Sequence, residues 1–326
     1  MTKLNVGIVG AGYIGNLHAK TLARDERVRV AALYDIVPER AAACAREHGA
    51  EAVQSVEALI DLVDAMYITT PNTKHMEATL AALEAQRHIF CEKPLATSLE
   101  EARRVREASR RSPGVFQVGH NRRFAPVYQE VKRLIAQEGL RPHSAHSKMN
   151  RGELLNPSWV SDPSITGGFL YETTVHMVDI LRWLLGEVES VVVQAMAHEY
   201  PEIDDFSMLF RFHSGVHATL ASSADASWHF PFERLEIFCH HATIETQGMD
   251  HILYTTGLDV PPVTQSFDQL EKEQRWGYVQ EDKAFVDAIL GGTPAPVTAL
   301  DGYKAVELVD ACYRAARTGE RVLLNS

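Results

Sequence analysis

"LNVGIVGAGYIGNLHAKTLAR", residues 4–24, decides how the chain folds. Leu4–Val9 is an apolar run suited to a buried strand, and the residues after Tyr13 are apolar at helical spacing. Between them stand Gly10, Gly12 and Gly15. A lone G-x-G-x-x-G says little, but one that follows a strand and opens a helix predicts a dinucleotide-binding turn. Gly10 permits the tight turn, Gly12 leaves room for a pyrophosphate against the backbone, and Gly15 lets helix and strand pack closely. The helix start offers N–H groups and the positive end of its dipole to phosphates. Gly10, Gly12, Tyr13, Ile14 and Gly15 are thus the first candidate cofactor residues.

Outward from this turn, "VRVAALYD" (28–35) reads as a second strand ending in Asp35. An acid at that spacing would hold the adenosine ribose hydroxyls and repel a 2′-phosphate, which favours NAD over NADP. Arg40 nearby moderates the preference, and a cap on the helix starting near Pro38 is the structural alternative for Asp35. Strands and helices keep alternating: "DAMYITT" (64–70), "TKHMEATLAALEAQ" (73–86), "HIFC" (88–91), "SLEEARRVREASR" (98–110) and "VFQVGH" (115–120). That order predicts a parallel sheet with helices on both faces. Ligands of such sheets bind at the carboxyl ends of the strands. Thr70, Pro71, Asn72 and His75, and then Glu92 and Lys93, fall at two such ends and join the candidates.

Composition narrows the function. With 326 residues and a net charge of −11, the chain suits two domains and argues against a general nucleic-acid surface. No apolar run approaches the ~18 residues that would span a bilayer. The four cysteines, Cys44, Cys91, Cys239 and Cys312, are scattered, which fits free thiols. With no signal peptide ahead of the first strand, a cytoplasmic location is expected.

The glycine turn, "TPN" at 70–72 with His75, and "EKP" at 92–94 together resemble the glucose-fructose oxidoreductase, inositol dehydrogenase and rhizopine-catabolism (Gfo/Idh/MocA) family. The later stretch "GGFLYETTVHMVDILRWLLGE" (167–187) is similar to the family's second motif, with Glu172 where the family usually has aspartate, and with His176 matching. The resemblance runs through nearly the whole chain. It implies that Lys93 contacts the reacting hydroxyl beside the nicotinamide and that the Lys93–Pro94 peptide is cis. It also implies an α/β Rossmann dinucleotide-binding domain (1–122), followed by an α+β domain with an open, mostly antiparallel sheet (123–326). The C-terminal helices have the option of packing back on the first domain. Family members pair subunits through the outer face of that sheet, so a homodimer or homotetramer is expected.

Patterning in the second half agrees. "APVYQEVKRLIAQEG" (125–139) is a helix, "HSAHSKMNR" (143–151) a strand candidate, and 152–168 a loop before the helix of Glu172 and His176. Residues four apart share a helix face, so those two side chains can reach one site. Asp179 could hold the imidazole or serve structure. Alternating segments at 188–200, 205–225, 233–248 and 251–256 read as strands, with a turn at Ser214-Gly215. His213, His217, His240 and His241 lie on alternating positions without an acid or cysteine at ligand spacing, so no metal site is expected. Two helices close the chain (278–292 and 299–317).

The expected activity is oxidation of a secondary hydroxyl of a cyclitol, polyol or sugar. His176 acts as general base, Lys93 stabilises alkoxide character, and Glu172 polarises His176 or binds a neighbouring hydroxyl. Arg123 in "NRRF" matches a basic residue that touches substrate in some relatives. Asn150, Trp159 and Trp228–Phe232 are further substrate candidates, and Trp159 would either stack on a sugar or pack structurally. The alternatives are an NADP-linked keto-sugar reductase, an enzyme that recycles a tightly bound NAD, and a non-catalytic sensor.

Overall fold

The computed structural model describes residues 3–324. Two compact units emerge among them: residues up to 120 with 278–306, and residues 121–277 with those from 307 on.

In the first unit the strands are β1 (Leu4–Val9), β2 (Val28–Tyr34), β3 (Glu51–Ala52), β4 (Ala65–Ile68), β5 (His88–Glu92) and β6 (Phe116–Gly119). They form one sheet in the order β3-β2-β1-β4-β5-β6, and every pairing is parallel. This is the doubly wound order, with its switch point between β1 and β4, where such sheets bind ligands. Strands buried on both faces read as continuous apolar runs, and β4 is buried along its whole length. Helix Leu99–Ser109 starts where Ser98 accepts a hydrogen bond from the Glu101 amide at 3.3 Å, a cap typically worth about 1 kcal/mol. Helix Tyr278–Gly291 supplies Phe285 to the core. There Tyr67 and Phe90 stack at 4.5 Å and Phe285 meets both rings edge-on. The two-residue β3 and helix Val56–Ile60 were not expected, being too short for a periodic signal.

In the second unit β7 (Pro142–Met149), β8 (Val188–Met196), β9 (Asp205–Phe212), β10 (His217–Ser223), β11 (Glu233–Cys239), β12 (Ala242–Gln247), β13 (His251–Thr255), β14 (Val263–Ser266) and β15 (Val322–Leu323) make one sheet. Its order is β14-β13-β12-β11-β7-β10-β9-β8-β15. The pairings are antiparallel except β7 with β10, which run parallel. The period-2 pattern is plain in β9: Phe206, Met208, Phe210 and Phe212 are buried, while Ser207, Leu209 and Arg211 face outward. Ser214-Gly215 forms the turn into β10, with Gly215 at φ +87°. His240 and His241 form the turn between β11 and β12, their rings 3.9 Å apart. The segment 152–168 contains a 3₁₀ turn, Ser158–Ser161, and a short helix, Pro163–Thr166. No helix among the described residues is long and apolar enough to cross a membrane.

Candidate active site

The glycine turn has the shape a dinucleotide needs. Gly10 sits at φ +100°, and a Cβ there would come within 2.7 Å of the Thr69 carbonyl. At Gly15 a Cβ would stand 2.0 Å from the Gly10 oxygen, so only glycine lets the helix lie this close to β1. Gly12 is the opposite case: a Cβ would meet no described atom within 4 Å. Gly12 is also the N-cap of helix Tyr13–Leu22, which has no side-chain cap and no acid in its first turn. An uncapped, acid-free helix start opening onto vacant space fits a pyrophosphate. Tyr13 is 70% exposed beside it, and Ile14 is half-buried.

Asp35 is fixed by backbone donors. Its Oδ2 accepts from the Ala11 amide at 2.8 Å and its Oδ1 from the Val37 amide at 2.8 Å. The helix after it starts at Pro38 with Val37 as N-cap and no side-chain cap. The carboxylate is therefore bound directly to the glycine turn.

The next two strand ends are tied to each other. His75 places Nδ1 2.7 Å from the Pro94 carbonyl and Nε2 2.8 Å from the Thr70 carbonyl. Asn72, after Pro71, is buried in the 3₁₀ turn Asn72–Lys74. The Lys93–Pro94 peptide is cis. Glu92 is buried, and its Oε2 accepts from the Lys93 amide at 3.0 Å. Its Oε1 lies 3.1 Å from Nε2 of His18, a buried residue that the sequence reading passed over.

In the second unit, Glu172 lies on a π-helical turn, Leu170–Thr174, that runs into helix Val175–Leu185. The Val175 amide reaches back five residues to the Leu170 carbonyl, the spacing of a π turn, a feature frequent at functional sites. His176, buried, sits at the start of the regular helix. Its Nε2 lies 3.4 Å from Nη1 of Arg122. A guanidinium only donates hydrogen bonds, so a hydrogen bond here uses the lone pair of Nε2 and puts the ring proton of a neutral imidazole on Nδ1. Arg122 is held in turn by Glu233, at 3.1 Å, and Glu233 accepts from the Tyr128 hydroxyl at 2.8 Å.

Of the two arginines in "NRRF", Arg122 is the one beside the imidazole. Arg123 donates to Asp179 from Nε at 2.7 Å and Nη2 at 2.6 Å, both residues buried. Arg123 and Asp179 thus join each other. Glu172 has Arg151 at 3.9 Å. Asn150 accepts from the Ser223 amide at 3.2 Å. Trp159 is 39% exposed on its 3₁₀ turn. Trp228 is exposed and covers Gly152, where a Cβ would come within 2.4 Å of the indole. Sequence spacing could not choose between Arg122 and Arg123, since neighbours on the 3₁₀ turn Asn121–Phe124 point in different directions.

Residues 4–120 match a family described as "Oxidoreductase family, NAD-binding Rossmann fold", and residues 128–245 match the GFO/IDH/MocA C-terminal domain. Inositol 2-dehydrogenase 2 of Saccharopolyspora erythraea is 32% identical, over 97% of this chain and 94% of its own. 2,7-Anhydro-N-acetylneuraminate hydratase of Escherichia coli is 32% identical, over 69% of this chain and 63% of its own. A solved levoglucosan dehydrogenase, in complex with NADH and L-sorbose, superposes with a TM-score of 0.92 at 23% identity, covering 100% of both chains. The two matches lie one in each half of the chain, across the glycine turn and the EKP loop in the first and the Glu172–His176 helix in the second: the chain belongs to the Gfo/Idh/MocA oxidoreductases.

Proposed function

We propose that the chain is an NAD-dependent dehydrogenase that oxidises a secondary hydroxyl of a cyclitol, polyol or sugar. The observation that carries this reading is Lys93, held by Glu92 at the end of β5 in the same sheet that bears the open glycine turn. The inositol 2-dehydrogenase relative supports the substrate class.

The glycine turn and the uncapped helix start would hold the pyrophosphate, and Asp35 the adenosine ribose. NAD⁺, when bound, supplies the hydride acceptor. Lys93 places a positive charge where the reacting oxygen becomes an alkoxide. The imidazole of His176 takes the hydroxyl proton, with the Arg122 guanidinium 3.4 Å from its Nε2. Glu172, beside Arg151, binds a neighbouring hydroxyl or polarises His176. Copies of the chain pair through the outer face of the nine-stranded sheet, which light scattering on the purified protein would check.

Inositols, aldoses and anhydrosugars screened with NAD⁺ and with NADP⁺, followed by NADH or NADPH absorbance, test the reading. Net NADH formation on one of these, with kcat/KM at least tenfold better for NAD⁺, is expected. Equal use of both cofactors would remove the role given to Asp35. A second reading has one observation in its favour, the hydratase relative: an enzyme that oxidises and re-reduces its substrate on one bound NAD. Product formation with no net NADH would select it.

A further inference from the structure

Around the glutamate of the EKP loop lie three buried ionisable groups, His18, Asp282 and Glu281, that the proposed reaction does not use. His18 is the sixth residue of helix Tyr13–Leu22, three after Gly15, and is fully buried. Its Nε2 is 3.1 Å from Glu92 Oε1, and its Nδ1 is 2.8 Å from Asp282 Oδ1 on helix Tyr278–Gly291. The far oxygen of Glu92 accepts the Lys93 amide at 3.0 Å. The path from helix to lysine is therefore His18, Glu92 carboxylate, Lys93 N–H.

Both partners of the imidazole are carboxylate oxygens. A neutral ring has one N–H, and its other nitrogen would set a lone pair against a carboxylate lone pair. The imidazolium satisfies both contacts at once. Burial disfavours its charge, but Asp282 and Glu92 outweigh burial and hold His18 well above its ordinary range. Burial also opposes ionised Glu92, yet His18 and Lys93 keep that carboxyl below its usual value. Asp282 is the counterweight: burial prevails there and pushes its carboxyl up. Glu281 completes the acids around the ring, its donor atom within 4.8 Å of those of His18 and Glu92. Tyr67, Phe90 and Tyr278 wall the imidazole at ring distances of 5.2, 4.9 and 6.0 Å.

We propose that His18 is a positioning residue: through Glu92 it fixes the backbone of Lys93 relative to the helix whose start receives the dinucleotide. One helix then carries the phosphate-binding end and, one turn later, the anchor of the lysine loop, so cofactor and lysine share a reference frame. The proposal rests on the role given to Lys93 above only for its kinetic consequence. Its structural consequence, the holding of the Lys93 amide, is measured separately.

Two substitutions divide the imidazole's contacts. A glutamine amide reaches the position of Nε2 and an asparagine amide that of Nδ1. His18→Gln keeps a donor toward Glu92, and His18→Asn keeps one toward Asp282. Hydrogen exchange of the Lys93 amide, followed by mass spectrometry on the full chain, is expected to be at least roughly tenfold faster in His18→Asn than in His18→Gln, the size of a lost hydrogen bond to a charged group. If Lys93 is catalytic, kcat on the alcohol found by the screen falls with exchange, more in the asparagine variant, while the KM for NAD⁺ stays within about twofold. Glu92→Gln combined with His18→Asn should be no worse than the more impaired single variant, because both act on one path. Equal exchange in the two His18 variants, at whatever rate, overturns the proposal. A split in exchange without a split in kcat upholds the positioning and rejects the catalytic reading of Lys93.

Discussion

Each unit carries one of the two groups proposed to handle the hydroxyl, and the two are held by different chemistry. Lys93 is fixed through an imidazole and two carboxylates, His18, Glu92 and Asp282, all able to gain or lose a proton. His176 has Arg122, paired with Glu233, beside its imidazole, and Asp179, three residues on along its helix, pairs with Arg123. A guanidinium stays charged at any pH a protein tolerates. Damage to the first network can be absorbed by moving a proton. Damage to the second leaves a charge that has nowhere to go.

The largest effect expected is on rate, and it removes the groups themselves. His176→Ala should lower kcat by about 10²–10⁴-fold and abolish the rise of kcat/KM with pH through one ionisation. Lys93→Ala should cost about 10²-fold in kcat or more, with NADH affinity, read by fluorescence titration, little changed. Near-normal turnover in either variant would end the functional side of the comparison.

Next comes the difference in how the supports fail. Asp179→Ala strands the buried Arg123 guanidinium and should cost about 3–5 kcal/mol in urea unfolding. Asp282→Asn should cost less, because His18 can release its proton. Equal losses would show that the two networks behave alike.

A smaller effect concerns Glu172. If it polarises His176, Glu172→Gln should lower the ionisation seen in kcat/KM, since a neighbouring negative charge favours the protonated ring. If it binds a substrate hydroxyl, KM rises and the pH profile stays in place. With neither change, Glu172 serves only the π turn and its contact with Arg151.

The smallest effect expected is a drift of stability with pH, confined to the first network. The folded protein raises the His18 ionisation above its free value of about 6.5. The stability from its protonated form is complete below about pH 6.5 and is lost as pH rises through the higher folded value. The Tm advantage of the unmodified protein over His18→Gln should therefore shrink between pH 6 and pH 9. An advantage that grows with pH would reverse the assignment of charge.

Much of the first unit could be read directly, because its logic is local. The glycine turn, the alternation and EKP each act within a few residues, and a buried parallel strand announces itself as an apolar run. His18 escaped notice because what gives it meaning, Asp282, lies 264 residues away. Arg122 escaped for a related reason: Glu233 is 111 residues distant, and two adjacent arginines look alike until the turn that carries them is known. The π turn at Leu170–Thr174 leaves no mark in apolar spacing. The strands β14 and β15 were too short or too polar to stand out, and all four residues of β14 are exposed.

Helix Tyr278–Gly291 has a consequence for biosynthesis. A nascent chain that has reached Gly277 already contains all six strands of the parallel sheet. It still lacks Phe285, which covers Tyr67 and Phe90, and Asp282, which meets His18. At roughly 5–20 residues per second, the ribosome leaves that aromatic surface uncovered for some seconds after the rest of the sheet has emerged. The dinucleotide-binding half, first to be translated, is among the last to be completed. A nonsense codon just before Tyr278 would therefore cripple the half of the protein encoded farthest from it.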